Sequence, residues 1–152
     1  MSRKILFLDI DGVLNSRNYM NSVGRGDAID PRCVLHLNEA IRRTGCKVVV
    51  SSAWRNLHTW AELLSILEDH GVNTEVFIDK TPDRFREFKN RDDEISEWLD
   101  NHGQEGDQWC IIDDELEHLV KLKDRLVKTS FQEKGMTKEH EDAVVRFLGE
   151  AQ

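Results

Sequence analysis

The sequence predicts an α/β protein, a three-layer α/β/α sandwich around a parallel sheet. Three observations carry that expectation. Short continuous apolar runs alternate with stretches of helical periodicity, and the runs are rich in β-branched and aromatic residues, as strands buried on both faces require. The length, 152 residues, suits one domain spanning residues 1–152. With 39% hydrophobic and 33% charged residues, the chain has material for a core and lacks the composition of a disordered one.

The first strand is expected at Ile5-Leu6-Phe7-Leu8, followed by a hairpin-sized flap over residues 12–30. Asp30-Pro31 supplies a cap and first-turn pair for a helix that repeats Cys33, Val34, Leu37 and Ile41 and closes at Gly45. Val48-Val49-Val50 is the second strand. Leu57, Trp60, Ala61, Leu64 and Leu67 predict the next apolar stripe, ending at Gly71, before a third strand at Val76-Phe77-Ile78. Asp92 or Asp93 is the expected cap of a helix carrying Ile95, Trp98 and Leu99 and ending before Gly103. A fourth strand, Trp109-Cys110-Ile111-Ile112, and an edge strand at Leu126-Val127 complete the sheet, and Thr137 opens a last helix with Val144, Phe147 and Leu148. Parallel strands joined this way need right-handed crossovers.

Charge and cysteine usage narrow the function classes. Against 21 Lys and Arg stand 29 Asp and Glu, a formal net of -8, which disfavours general nucleic-acid binding and adhesion to anionic membranes. Cys33, Cys46 and Cys110 form no CxxC, and no two of the six histidines are four apart, so neither a disulfide scaffold nor a zinc site is expected. Asp9 interrupts the N-terminal apolar run far short of a signal-peptide core or a membrane span, and the expectation is a reduced, cytoplasmic protein for which a monomer is compatible with the sequence.

In such folds the ligand site lies beyond the carboxyl ends of the strands, where strand order reverses. Those ends read Asp9-Ile10-Asp11-Gly12-Val13, Ser51-Ser52-Ala53-Trp54-Arg55 and Asp113-Asp114-Glu115. A single Asp after a strand is usually a turn former or a helix cap. Four carboxylates at one end of a sheet repel one another, a cost that a bound divalent cation removes, and oxygen-only ligands favour a hard ion such as Mg²⁺. Residues two apart in an extended segment face the same side, so Asp9 and Asp11 can serve one centre, one as nucleophile on phosphorus and the other as proton donor and acceptor. Gly12 lets the backbone turn away beside the substrate, and Ser51 is placed to hydrogen-bond a phosphoryl oxygen.

Leu8-Asp9-Ile10-Asp11-Gly12-Val13, the Val-Val-Val-Ser51 strand end, a basic residue opening a later helix and Ile-Ile-Asp113-Asp114 follow the four-motif order of the haloacid dehalogenase-like (HAD) phosphohydrolases, which the chain resembles across residues 5–114. More narrowly, Phe-Leu-Asp-Ile-Asp-Gly-Val-Leu-Asn, Ser-Ser-Ala-Trp-Arg and Arg91-Asp-Asp-Glu-Ile look like the small HAD domains found alone or fused to RNA-repair enzymes. The resemblance implies a Rossmann-like sheet and a phosphatase. Asp9 would form an aspartyl-phosphate, and Asp11 would protonate the leaving oxygen and then activate water. Ser51 would bind a phosphoryl oxygen, and Arg91, with Lys89 as the alternative, would supply the cation. Asp9, the carbonyl of Asp11 and Asp113 would hold Mg²⁺, with Asp114 as a further ligand or water orienter. Which of Asp113 and Asp114 touches the metal stays open. Gly12, Ser52 and Arg55 are candidate substrate contacts, as are Trp54 and, in the flap, Arg17 and Arg25.

Residues 12–30 and 56–90 leave no room for the cap domain that many such enzymes carry. By family analogy the open site suits a bulky phosphorylated substrate, a nucleic-acid end or phosphoprotein, or a nucleotide. Residues 80–91 hold five basic and two acidic residues, a local +3, with Phe85 and Phe88 interleaved. Cations beside aromatic faces grip single strands, and the competing reading packs the phenylalanines inward. Two other functions fit an acidic α/β domain: a module storing phosphate on Asp, and a catalytically silent binding module. The spacing of the acidic pair and the basic residue argues against the first, and four filled motif positions argue against the second.

Overall fold

The computed structural model describes residues 2–152 and places five parallel strands in one sheet. They are β1 (Lys4–Leu8), β2 (Lys47–Val50), β3 (Phe77–Lys80), β4 (Gln108–Asp113) and β5 (Leu126–Lys128), in the order β3-β2-β1-β4-β5. Six α-helices accompany them: α1 (Arg17–Val23), α2 (Pro31–Thr44), α3 (Trp54–Leu57), α4 (Trp60–Asp69), α5 (Arg91–His102) and α6 (Lys138–Leu148).

Side-chain alternation along the strands sorts the layers. Leu6, Leu8, Val48, Val50, Cys110 and Ile112 point to one face and pack with α2, α4 and α6 through Leu37, Leu67 and Val144. Ile5, Phe7, Val49 and Ile111 point to the other face, where Ile95 and Trp98 of α5 cover them. Phe7 takes Trp98 and Trp109 edge-on, with ring centroids 5.6 and 5.9 Å away. Each fully buried Ile, Leu or Phe here contributes roughly 1.5–3 kcal/mol, which is why strands β1, β2 and β4 are apolar almost without interruption.

The expected α/β/α sandwich is present, and several element boundaries differ from the sequence reading. The stripe expected from Leu57 is two helices: α3 ends at Leu57, which is exposed, and a capping box of Thr59 and Glu62 starts α4 afresh. In α4 Leu63 and Leu67 are buried and Trp60 and Leu64 pack partly buried against the same core, while Ala61 of the expected stripe is exposed. Asn90 precedes α5, with its N–H bound by Asp93, so Arg91 rather than an aspartate opens the helix. β3 starts at Phe77 after a 3₁₀ turn, and Ile78 is exposed because this is an edge strand. Trp54 is buried in the core rather than offered to substrate.

Between β1 and α2 the chain carries only α1, and between β2 and β3 only α3, α4 and the 3₁₀ turn Thr74–Val76, so no cap domain covers the strand ends among the described residues. The chain runs β1, β2, β3 outward and then returns through α5 to β4 on the other side of β1. That reversal puts the switch point between the carboxyl ends of β1 and β4. No helix is long and apolar enough to cross a membrane among the described residues.

Candidate active site

The β1–β4 register pairs Leu8 with Ile112, so the next residues, Asp9 and Asp113, leave the sheet side by side. The Asp9 N–H continues the ladder to the Ile112 carbonyl at 3.1 Å. Asp9, Asp113 and Asp114 each offer an oxygen, all within 4.8 Å of one another. Arg91, the first residue of α5, enters from the far layer. Its Nη1 lies 2.7 Å from Asp113 Oδ2 and 3.4 Å from Asp9 Oδ2. Lys89 stays outside this cluster and lines a neighbouring groove instead.

One guanidinium meets two of the three carboxylates, and the electrostatics follow. Burial and the Asp113 charge push Asp9 well above the ordinary carboxylate range, against the pull of Arg91. Burial and Asp113 raise Asp114 to about 6. Asp113, fully buried, spends Oδ1 on the Glu115 N–H at 2.9 Å and Oδ2 on Arg91. A donor set of crowded, partly desolvated carboxylate oxygens with too little positive charge fits a hard divalent cation.

Asp11 stands apart from this trio, so three of the four expected carboxylates cluster and the fourth does not. It is exposed and lines the same 310 Å³ cavity as Asp9, Asp114 and Arg91. Its placement depends on Asn15, a residue the sequence reading did not single out. Buried Asn15 donates from Nδ2 to Asp11 Oδ1 at 3.0 Å and to the Ala28 carbonyl at 3.2 Å, while its Oδ1 accepts the Gly12 N–H at 2.8 Å. Gly12 has φ +82°, and a Cβ there would overlap the Asp114 carboxylate. The glycine is therefore required by the approach of Asp114. Thr129 Oγ1 donates to the Gly12 carbonyl at 2.6 Å and locks the loop from β5, another contact with no local sequence signal.

Around the second strand end, the Ser51 N–H donates to the Leu8 carbonyl at 2.8 Å, and its fully buried Oγ has no hydrogen-bond partner among the described residues. Ser52 lines the Asp9 cavity, with its Oγ accepting the Trp54 N–H at 3.2 Å. Arg55 is buried, bonded to the Ser52 carbonyl at 2.7 Å and to Glu94 Oε1 at 2.9 Å. Its guanidinium thus ties the Ser52 loop to α5, three residues beyond Arg91. Arg17 rests over the Phe131 ring and Arg25 pairs with Asp27, so both flap cations are engaged within the chain. Beside the Asp9 cavity and sharing Ala53, Arg91 and Glu115 with it runs a second groove of about 530 Å³.

No curated protein and no solved structure was found to match the chain. A family model does match, over residues 5–141, and it covers every strand end just described: the chain belongs to the family described as the HAD domain in Swiss Army Knife RNA repair proteins.

Proposed function

We propose that the protein is a Mg²⁺-dependent phosphomonoester hydrolase that works through an aspartyl-phosphate on Asp9. One observation carries the reading: the buried Asp9 carboxylate sits at the switch point of the sheet, crowded by Asp113 and Asp114 and steadied by Arg91, with Asp11 on the same cavity. Asp9, the Asp11 carbonyl, Asp113 and Asp114 would hold the cation. The cation would neutralise the phosphoryl oxygens and, with Arg91, keep Asp9 ionised.

A carboxylate oxygen of Asp9 attacks phosphorus as the ester P–O bond breaks, and Asp11 gives its proton to the departing oxygen. Water then attacks the phosphorus of the acyl phosphate, Asp11 takes a proton from it, and the P–O bond to Asp9 breaks to release phosphate. Exposure of Asp11 lets it exchange protons with solvent between steps. Arg91 supplies fixed positive charge where charge develops, and the orphaned Ser51 hydroxyl is a ready donor to a phosphoryl oxygen. The uncapped strand ends favour a substrate whose phosphate projects from a larger body, such as a nucleic-acid end or a nucleotide. The RNA-repair context of the family is in line with that.

A chromogenic phosphomonoester assayed with and without Mg²⁺ tests the reading. Turnover should require the metal, vanish in Asp9→Asn and fall by roughly 10²–10⁴-fold in Asp11→Asn. Turnover surviving Asp9→Asn would sink the nucleophile assignment. Stable phosphoprotein without turnover would mark a phosphate-storing module, and neither turnover nor phosphoprotein a binding module.

A further inference from the structure

The 530 Å³ groove beside the Asp9 cavity has an unusual rim. Phe88 is 96% exposed and Phe85 79%, and both line the groove. Phe88 also has φ +59°, in the left-handed region, the one non-glycine residue to do so among those described. A bulky side chain there is strained, and its ring buries nothing in return. The fold alone gives no reason to keep it.

The charges of the groove are unevenly occupied. Its carboxylates are engaged: Glu94 by Arg55, Asp83 by the Phe85 N–H, and Glu115 by His118. Arg84 is likewise paired, with Glu97. Lys89 on the groove and Arg86, between Phe85 and Phe88 in sequence, form no ion pair among the described residues. Free cations next to exposed aromatic residues, continuous through Arg91 with the Asp9 cavity, match a ligand having flat rings and further negative charge beyond its reacting phosphate.

We infer that this groove holds the leaving group of the substrate, and that the leaving group is the end of a single-stranded nucleic acid: its last bases stack on Phe85 and Phe88, while Lys89 and Arg86 face its next phosphates. The inference rests on the phosphatase reading only for what becomes of the terminal phosphate. Stacking itself is sequence-tolerant, since every base has a π-face.

The experiment compares wild type with Phe85→Ala, Phe88→Gly and the double neutralisation Arg86→Ala/Lys89→Ala. Substrates are single-stranded oligonucleotides with a 3′- or a 5′-phosphate, a phosphotyrosine peptide, and glycerol 2-phosphate. Strand binding is followed separately, by fluorescence anisotropy of a labelled oligonucleotide. Each aromatic variant should lower the kcat/KM ratio of oligonucleotide to glycerol phosphate roughly tenfold and weaken anisotropy binding similarly. Phe88→Gly should at the same time raise the melting temperature, because glycine relieves the positive φ. The charge variant should flatten the salt dependence of binding.

An unchanged ratio with unchanged anisotropy would overturn the inference, as would parallel loss on both substrates, which marks a structural role. Selective loss on the peptide would replace the strand with a phosphoprotein. If wild type hydrolyses nothing yet anisotropy falls in the variants, the groove stands and the phosphatase reading fails.

Discussion

Two buried acidic regions of this molecule are wired in opposite ways. At the seam between α2 and α6, Glu141 is buried with a partner on each oxygen: His36 at 2.9 Å on Oε1, and Arg43 at 2.7 Å and Lys138 at 3.1 Å on Oε2. Burial would raise its pKa, but these three hydrogen bonds bring it below the ordinary glutamate value. At the switch point, Asp9 and Asp113 share one arginine while Asp114 has none, and burial with like charge raises Asp9 and Asp114. The same chemistry is resolved in one place and left in tension in the other. A seam needs only stability, and its charges close on themselves, whereas the switch point holds an unmet demand for positive charge that only something from outside can meet.

Replacing one carboxylate in each region should separate them most sharply. Asp9→Asn should abolish turnover while raising the stability of the metal-free protein by on the order of 1 kcal/mol, since one repelling charge is gone. Glu141→Gln should do the reverse, retaining kcat while costing roughly 1.5–3 kcal/mol, because the charge-assisted bonds from His36, Arg43 and Lys138 to a buried carboxylate are lost even though Arg43 keeps Asp142 and Glu150. Chemical denaturation paired with the phosphatase assay reads both. Equal behaviour of the two variants would erase the distinction.

Adding metal comes next in size. Saturating Mg²⁺ should stabilise wild type by about 3 kcal/mol at a hundredfold excess over its dissociation constant and release protons on binding below pH 6, where Asp114 is partly protonated. Asp113→Asn should lose most of that gain. Calorimetry in buffers of different ionisation enthalpy checks the proton count.

The pH response of the metal-free protein should be smaller, with opposite signs in the two regions. Asp114 has a folded pKa near 6, above its ordinary 3.8, so its penalty is fully present above pH 6 and is relieved as pH falls toward 4. Glu141 has a depressed folded pKa, so its contribution is full above about 4.5 and is lost as pH falls through the lower folded value. Stability should therefore rise from pH 7 to 5 and fall below about 4. In Asp114→Asn the rise should shrink and the fall remain.

Asn15→Ala should have the mildest effect on the centre, lowering kcat about tenfold with KM little changed, because Asp11 loses its anchor and the Gly12 N–H its acceptor. A large KM effect would instead implicate Asn15 in substrate binding.

The contrast also explains what the sequence made readable. Strands β1, β2 and β4 announce themselves because burial on both faces leaves polar residues only at their ends, and Asp9, Asp11, Ser51 and Asp113 stand out because they follow those apolar runs. Contiguity made the strand-end motifs visible. Asn15 was not visible: it sits in a loop without periodicity, and only the folded turn reveals that it holds Asp11, Gly12 and Ala28. Arg55 looks like a free cation until Glu94, 39 residues on, arrives beside it. The Glu141 seam joins residues about a hundred positions apart. The break between α3 and α4 escaped because one apolar stripe runs on through Leu57 while a polar capping box interrupts the backbone.

The bolt that Thr129 and its neighbours throw across the first loop has a consequence in time. Thr129 holds the Gly12 carbonyl, the Met136 N–H bonds the Val13 carbonyl at 2.8 Å, and Gly135 must stay small because a Cβ would crowd the Asn15 and Val13 carbonyls. The loop that carries Asp11 is made more than a hundred residues before the segment that braces it. Until residues 129–136 have packed against it, that loop lacks its brace, and a chain cut short before them keeps Asp9 at the end of β1 while losing the contacts that fix the turn beside Asp11.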